Sequence, residues 1–136
     1  MMEPIEQLQE IQDEVRSANA AFYRALEHKN LDELSKVWSH LDDVKCIHPG
    51  WRLLRGWPAI RASWKRRFGD VAFQKFGVED QFIDVHGDVA VVTMTEVVLF
   101  QAGGVTKEER HQTTNLYRHE GLNWKLILHH ASNREN

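Results

Sequence analysis

The sequence predicts one α+β domain in which helices pack on one face of a curved antiparallel sheet. In the first half of the chain, apolar residues recur every three or four positions, the spacing of amphipathic helices. After Gly69 the period changes to that of strands, and turn signals such as His86-Gly87-Asp88, Gly103-Gly104 and Glu120-Gly121 separate the segments. Short connections of that kind favour antiparallel neighbours, and helices followed by a strand meander is the order of an α+β domain.

The first helix spans residues 4–28, where Ile5, Leu8, Ile11, Val15, Ala18, Phe22 and Leu26 form one stripe. Pro4 suits its first turn, and Glu3, Glu6, Glu10, Asp13 and Glu14 crowd its positive dipole end. Asn30 ends it and caps a shorter helix, with Glu33 three residues on. Leu31, Leu34, Val37 and Trp38 are the buried side of that second helix. Val44 to His48 reads as a short strand stopped by Pro49-Gly50. Pro58 opens a third helix with Ile60, Trp64 and Phe68 on one face. Strands follow over 73–78, 81–85, 89–100, 107–118 and 124–131.

The 136 residues fit a single domain, 1–136, with no repeat, linker or low-complexity tract to divide it. Apolar residues at 42% and charged residues at 27% exclude a disordered or collagen-like chain. The lone Cys46 forms no internal disulfide, the start MMEPIEQLQE is acidic, and no apolar run approaches the roughly 18 residues of a membrane span. These features set the expectation of a cytoplasmic protein without a membrane partner. A net charge of −3 and the lack of aromatics interleaved with a basic groove argue against nucleic acid. Residues 45–67 nevertheless hold no acid and carry Lys45, Arg52, Arg55, Arg61, Lys65, Arg66 and Arg67, which reads as a solvated helix face balanced by the acidic first helix, with binding of an anionic ligand or partner as the alternative.

A curved sheet around a long helix leaves room for a pocket, and the strand period of two assigns its lining. On the penultimate strand His111, Thr113, Asn115 and Tyr117 share one face. On the last strand both parities mix polar and apolar residues: Trp124, Leu126, Leu128, His130 and Ser132 against Lys125, Ile127, His129 and Ala131. Convergence of these sets with the end of the first strand predicts a pocket holding His48, Asn115, His130, His111, Thr113 and Ser132. Phe22, Tyr23, Trp38, Trp51 and Trp64 supply its aromatic walls. In that arrangement His48 acts as general base or acid, because imidazole titrates near neutral pH, and Asn115 donates to an enolate-like oxygen. His130 and Ser132 orient substrate or water. The competing reading makes each a core residue satisfied by its neighbours. Without HxH, HExxH or Cys-pair spacing, no metal or other cofactor is expected, and Cys46 reads as a small buried hydrophobe.

Several segments carry a family resemblance: AFYRALEHKNLDELSKVW, CIHPGW, LRGWPAIRASW, HQTTNLYR and the closing WKLILHHAS. Together they cover about residues 8 to 133 and resemble the nuclear-transport-factor-like superfamily, particularly its SnoaL-like members. The resemblance implies a cone-shaped α+β barrel, a strongly curved antiparallel sheet wrapped around the long N-terminal helix, with three helices in all. It also implies a homodimer through the outer sheet face and a small organic ligand in the pocket. Ketosteroid isomerase, a member with this fold, uses an Asp base and an oxyanion hole of Tyr and a protonated Asp. By that resemblance the base position falls at His48-Pro49, the oxyanion Asp near Asn115, and the Tyr at Phe22 with Tyr23 beside it. The implied activity is proton transfer of isomerase, cyclase or dehydratase type on a small carbonyl compound. The ending LHHAS also resembles the association domain of calcium/calmodulin-dependent protein kinase, which implies the alternative of a non-catalytic binding or oligomerisation module.

Overall fold

A computed structural model describes residues 2–135. Helix α1 runs Pro4–His28, α2 Leu31–Val37 and α3 Trp57–Asp70. The strands are β1 Lys45–Ile47, β2 Leu54–Arg55, β3 Phe73–His86, β4 Val89–Ala102, β5 Val105–Glu120 and β6 Asn123–Asn133. Pro4 and Pro58 each occupy the first turn of their helix, where a missing N–H costs nothing. Helix α1 stops because Lys29 turns left-handed at φ 50°, which lets the N–H groups of Lys29 and Asn30 bond back to Leu26 and Ala25. Asn30 then caps α2 by accepting from the Glu33 N–H at 3.0 Å. No helix among the described residues is long and apolar enough to cross a membrane.

The six strands form one curved, open sheet in the order β2-β1-β6-β5-β4-β3. Long antiparallel hairpins join β3 to β6, as the turn signals predict. The sheet is mixed, because β1 lies parallel to β6 and reaches the sheet from α2 without a hairpin. Two residues are too short a segment for alternation to mark, and β2 has no signature in the sequence. The strands expected at 73–78 and 81–85 are one strand, β3, with a register shift between Glu79 and Phe82 where Asp80 takes φ 52°.

A second irregularity decides the site. Leu116 of β5 faces Leu128 of β6, but the next residue, Tyr117, faces Leu126. Ile127 is therefore an extra residue, and the inward set of β6 changes from Trp124 and Leu126 to His129 and Ala131.

The concave face packs against α1, whose Val15, Phe22, Ala25 and Leu26 join Leu34, Trp38, Val44, Ile60, Val92 and Leu126 in one core. The expected hollow beneath α1 is absent, because Phe22, Tyr23 and Asn19 fill that space. The room that remains lies beneath α3.

Candidate functional site

A cavity of about 90 Å³ opens between α3 and the concave sheet. The end of β1 supplies His48 and Pro49; α3 supplies Trp64 and Arg67. Gln74 and Phe76 come from β3, Glu96, Val98 and Phe100 from β4, Glu109 and His111 from β5, and His129 from β6. At about 30 Å³ per water in the liquid, it has room for about three waters.

His129 is buried against the edges of Phe22 and Trp64, and its Nδ1 lies 2.6 Å from Asn115 Oδ1. The amide orientation is assigned from its neighbours. Asn115 Nδ2 donates to Asn19 Oδ1 at 2.9 Å and to Tyr23 Oη at 3.1 Å, while Tyr117 Oη donates to the same Asn19 oxygen at 2.8 Å. An amide oxygen only accepts, so Nδ1 of His129 carries the proton and Nε2 keeps a lone pair with no partner among the described residues. Burial, with Arg67 nearby, holds the ring neutral by lowering its pKa to about 4.

His48 follows the same logic from the opposite nitrogen. It sits just past β1, fixed by a turn in which the Trp51 N–H donates to the His48 carbonyl and Gly50 takes φ 79°. Ser63 Oγ donates to the Ile60 carbonyl at 2.7 Å, so it accepts from His48 Nε2–H at 2.9 Å. Nδ1 of His48 is then a buried acceptor without a partner, on a residue 1% exposed. Burial first, and the charge of Arg67 second, lower its pKa to about 2. Cys46 lies 3.9 Å from the same ring, but burial pushes its thiol pKa up and leaves it inert as a nucleophile.

The opposite wall is acidic, with two carboxylates sharing one imidazole ring. Glu96, 4% exposed, accepts from Tyr23 Oη at 2.7 Å and from His111 Nδ1 at 2.8 Å. Nε2 of His111 lies 3.1 Å from the half-exposed Glu109. Burial works against both charged forms of the Glu96–His111 pair. The pairing prevails, so the carboxyl is held below and the imidazole above its ordinary pKa. Arg67 is different. Its guanidinium lies over Trp64 at 5.7 Å and Trp51 at 6.0 Å, and among the described residues it makes no hydrogen bond or ion pair. Burial lowers its pKa, but a guanidinium stays charged.

Of the residues predicted from sequence, His48, Trp64 and His111 line the cavity, and Trp51 backs it through His48 and Arg67. Asn115 is fully buried and its amide is spent on Asn19, Tyr23 and His129, so the expectation that it donates to a substrate oxygen is corrected: it positions His129. His130 and Ser132 are exposed on the other side of β6, because the extra residue at Ile127 inverts the alternation; the buried neighbour is His129. Phe22, Tyr23, Trp38 and Thr113 are core residues outside the lining. No group of three or more His, Cys, Asp and Glu among the described residues is arranged to hold a metal.

Sequence reasoning missed Glu96, Arg67 and His129. Glu96 is the lone acid of the run VAVVTMTEVVLF and shares parity with the inward Val92, Met94 and Val98. Arg67 is three residues past Trp64 and seven past Ile60, on the apolar face of α3. Nothing local in the sequence marks His129.

Comparison with known proteins agrees with this architecture. Residues 15–134 match the family model described as SnoaL-like domain. The F-box protein SKIP8 of Arabidopsis thaliana is 26% identical over 116 residues; these are 85% of this chain, which spans about half (48%) of that relative's length. Among solved structures, a dehydratase candidate of the NTF2-like family from Streptomyces avermitilis is 33% identical with a TM-score of 0.86, covering 91% of this chain and 96% of its own. A candidate calcium/calmodulin-dependent protein kinase type II association domain from Thiobacillus denitrificans is 31% identical with a TM-score of 0.79, covering 88% and 94%. The chain belongs to the SnoaL-like domain family of the nuclear-transport-factor-like superfamily.

Proposed function

We propose that this protein binds a small organic carbonyl compound in the cavity beneath α3 and transfers a proton on it, as an isomerase, cyclase or dehydratase does. One observation carries the reading: two neutral imidazoles, each with an unpartnered ring nitrogen, share one small cavity with an unpaired guanidinium. His129 Nε2 is the base. It takes a proton from the carbon next to the carbonyl, and the electron pair moves to the carbonyl oxygen, where Arg67 compensates the charge. The imidazolium then returns the proton to another carbon, or to a departing β-hydroxyl that leaves as water. Asn115 is the positioning residue that keeps the proton on His129 Nδ1, and His48 Nδ1 accepts a hydrogen bond from the ligand. The 33% identity to a dehydratase candidate favours the elimination among these outcomes.

A screen of carbonyl compounds and hydroxy acids for thermal stabilisation tests the reading, because a ligand specific to the folded state raises stability by mass action. A hit stabilises the wild type and His130→Ala alike, and loses its effect in His48→Ala and His129→Ala. Stabilisation that survives both of the latter substitutions contradicts the assignment.

A second reading, a non-catalytic module that assembles copies of itself, is favoured by the 31% identity to the kinase association domain candidate. The convex face of the sheet offers exposed Phe73, Phe82 and Leu99 to a second copy of the chain. Dimerisation there is compatible with either reading, since the cavity opens on the concave side.

A further inference from the structure

We infer that the cavity selects a small hydroxy-monocarboxylate, with the carboxylate on Arg67 and the hydroxyl donating to the unpartnered Nδ1 of His48. The inference deepens the proposed function and rests on its reading of the cavity as a ligand site.

Charge is the first argument. The buried acid on the cavity wall already has a cation: Glu96 bonds to His111, while Glu109, which shares that ring, is half-exposed and screened by solvent. Arg67 has none among the described residues, although it is partly buried. The guanidinium carbon lies about 6 Å from the Trp51 and Trp64 rings, and its N–H groups have no hydrogen-bond partner among the described residues. Two parallel N–H donors match the two oxygens of a carboxylate, and such charge-assisted pairs are the strong ones. A dianion such as phosphate would face Glu96 and Glu109 with a charge that Arg67 alone does not compensate.

Hydrogen bonding is the second argument. The tautomers fixed by Ser63 and Asn115 leave His48 Nδ1 and His129 Nε2 as acceptors only. A buried acceptor without a donor costs about 1–3 kcal/mol. The complementary ligand therefore carries an O–H. A simple carboxylate satisfies Arg67 and leaves His48 Nδ1 unpaired; a cation repels Arg67; a neutral diol leaves Arg67 unpaired.

Size is the third. A cavity of about 90 Å³ admits only a small molecule and is far below the roughly 300–1,000 Å³ of a drug-sized site. An anion at Arg67 also acts on the chemistry: burial is the main cause that holds His129 a poor base, and the anion offsets the smaller part that the Arg67 charge adds.

The test is a charge series on one skeleton: lactate, its neutral amide lactamide, the cation 1-amino-2-propanol, and propionate as the acid without the hydroxyl. Binding is read by calorimetry on the wild type, Arg67→Gln, His129→Ala and the exposed control Arg61→Gln. The expected order has lactate tightest, lactamide at least tenfold weaker, propionate weaker by about fivefold, and the amine silent. Arg67→Gln brings lactate down to the level of lactamide, while Arg61→Gln changes nothing. The series on the wild type gives its answer even if Arg67→Gln folds poorly. Equal binding of lactate and lactamide, lost in His129→Ala, overturns the carboxylate inference and leaves the ligand site standing. Binding of lactate that neither Arg67→Gln nor His129→Ala alters overturns both.

Discussion

Replacing Asn115 by Ala separates a positioning residue in the core from a donor facing a ligand. In the structure the amide makes three hydrogen bonds, to Asn19, Tyr23 and His129. After truncation, Asn19 Oδ1 keeps Tyr117 and Tyr23 Oη keeps Glu96, so each loses one bond of about 0.5–1.5 kcal/mol. His129 is left worse off: its Nδ1–H has no other acceptor among the described residues and stays buried, at about 1–3 kcal/mol. The expected loss is about 3 kcal/mol, a large part of the roughly 5–15 kcal/mol that holds such a domain together. Urea denaturation at pH 7 should show the midpoint falling by roughly 1–3 M with an unchanged slope. A loss below about 1 kcal/mol would refute the reasoning, since an amide donor facing an open pocket is truncated at about that cost.

Two further outcomes follow from the same geometry. The depressed pKa of His129 makes the unfolded chain, with an ordinary value near 6.5, the stronger proton binder between pH 6.5 and 4. Stability is therefore fully present above about pH 6.5 and falls by about 3 kcal/mol by pH 4 from this ring alone; His48 adds in the same direction. The raised pKa of His111 has the opposite sign, its contribution being lost as pH climbs through the folded value, so thermal melts should place the optimum near neutrality, and a melting temperature higher at pH 5 than at pH 7 contradicts the assignment. On the convex face, Phe82→Asp should convert a dimer to a monomer in sedimentation at micromolar concentration, and a wild type that already sediments as a monomer removes the dimer proposal.

Much of the fold was legible because the strongest signals were periodic. The stripe from Val15 to Leu26, the prolines opening α1 and α3, and the glycine turns between hairpins each specify local geometry. The site was legible only in part. His48 was marked by its place before Pro49-Gly50, and His111 by its parity on β5. His129 was hidden because alternation from Trp124 and Leu126 leads to Leu128 and His130, and only a pairing register shows that Ile127 is an extra residue. Arg67 was lost in a basic segment that is otherwise exposed, where composition outweighs the face of the helix it occupies. Asn115 was found, but its role depends on Asn19 and Tyr23, 96 and 92 residues away in sequence.

The two histidine tautomers are the physical basis of the whole account, and nitrogen-15 NMR of the imidazoles at pH 7 reads them directly. His129 should be protonated on Nδ1 and bare at Nε2, and His48 protonated on Nε2 and bare at Nδ1, both remaining neutral down to pH 5. Either ring found charged at pH 7, or carrying its proton on the nitrogen assigned here to the cavity, would contradict the account.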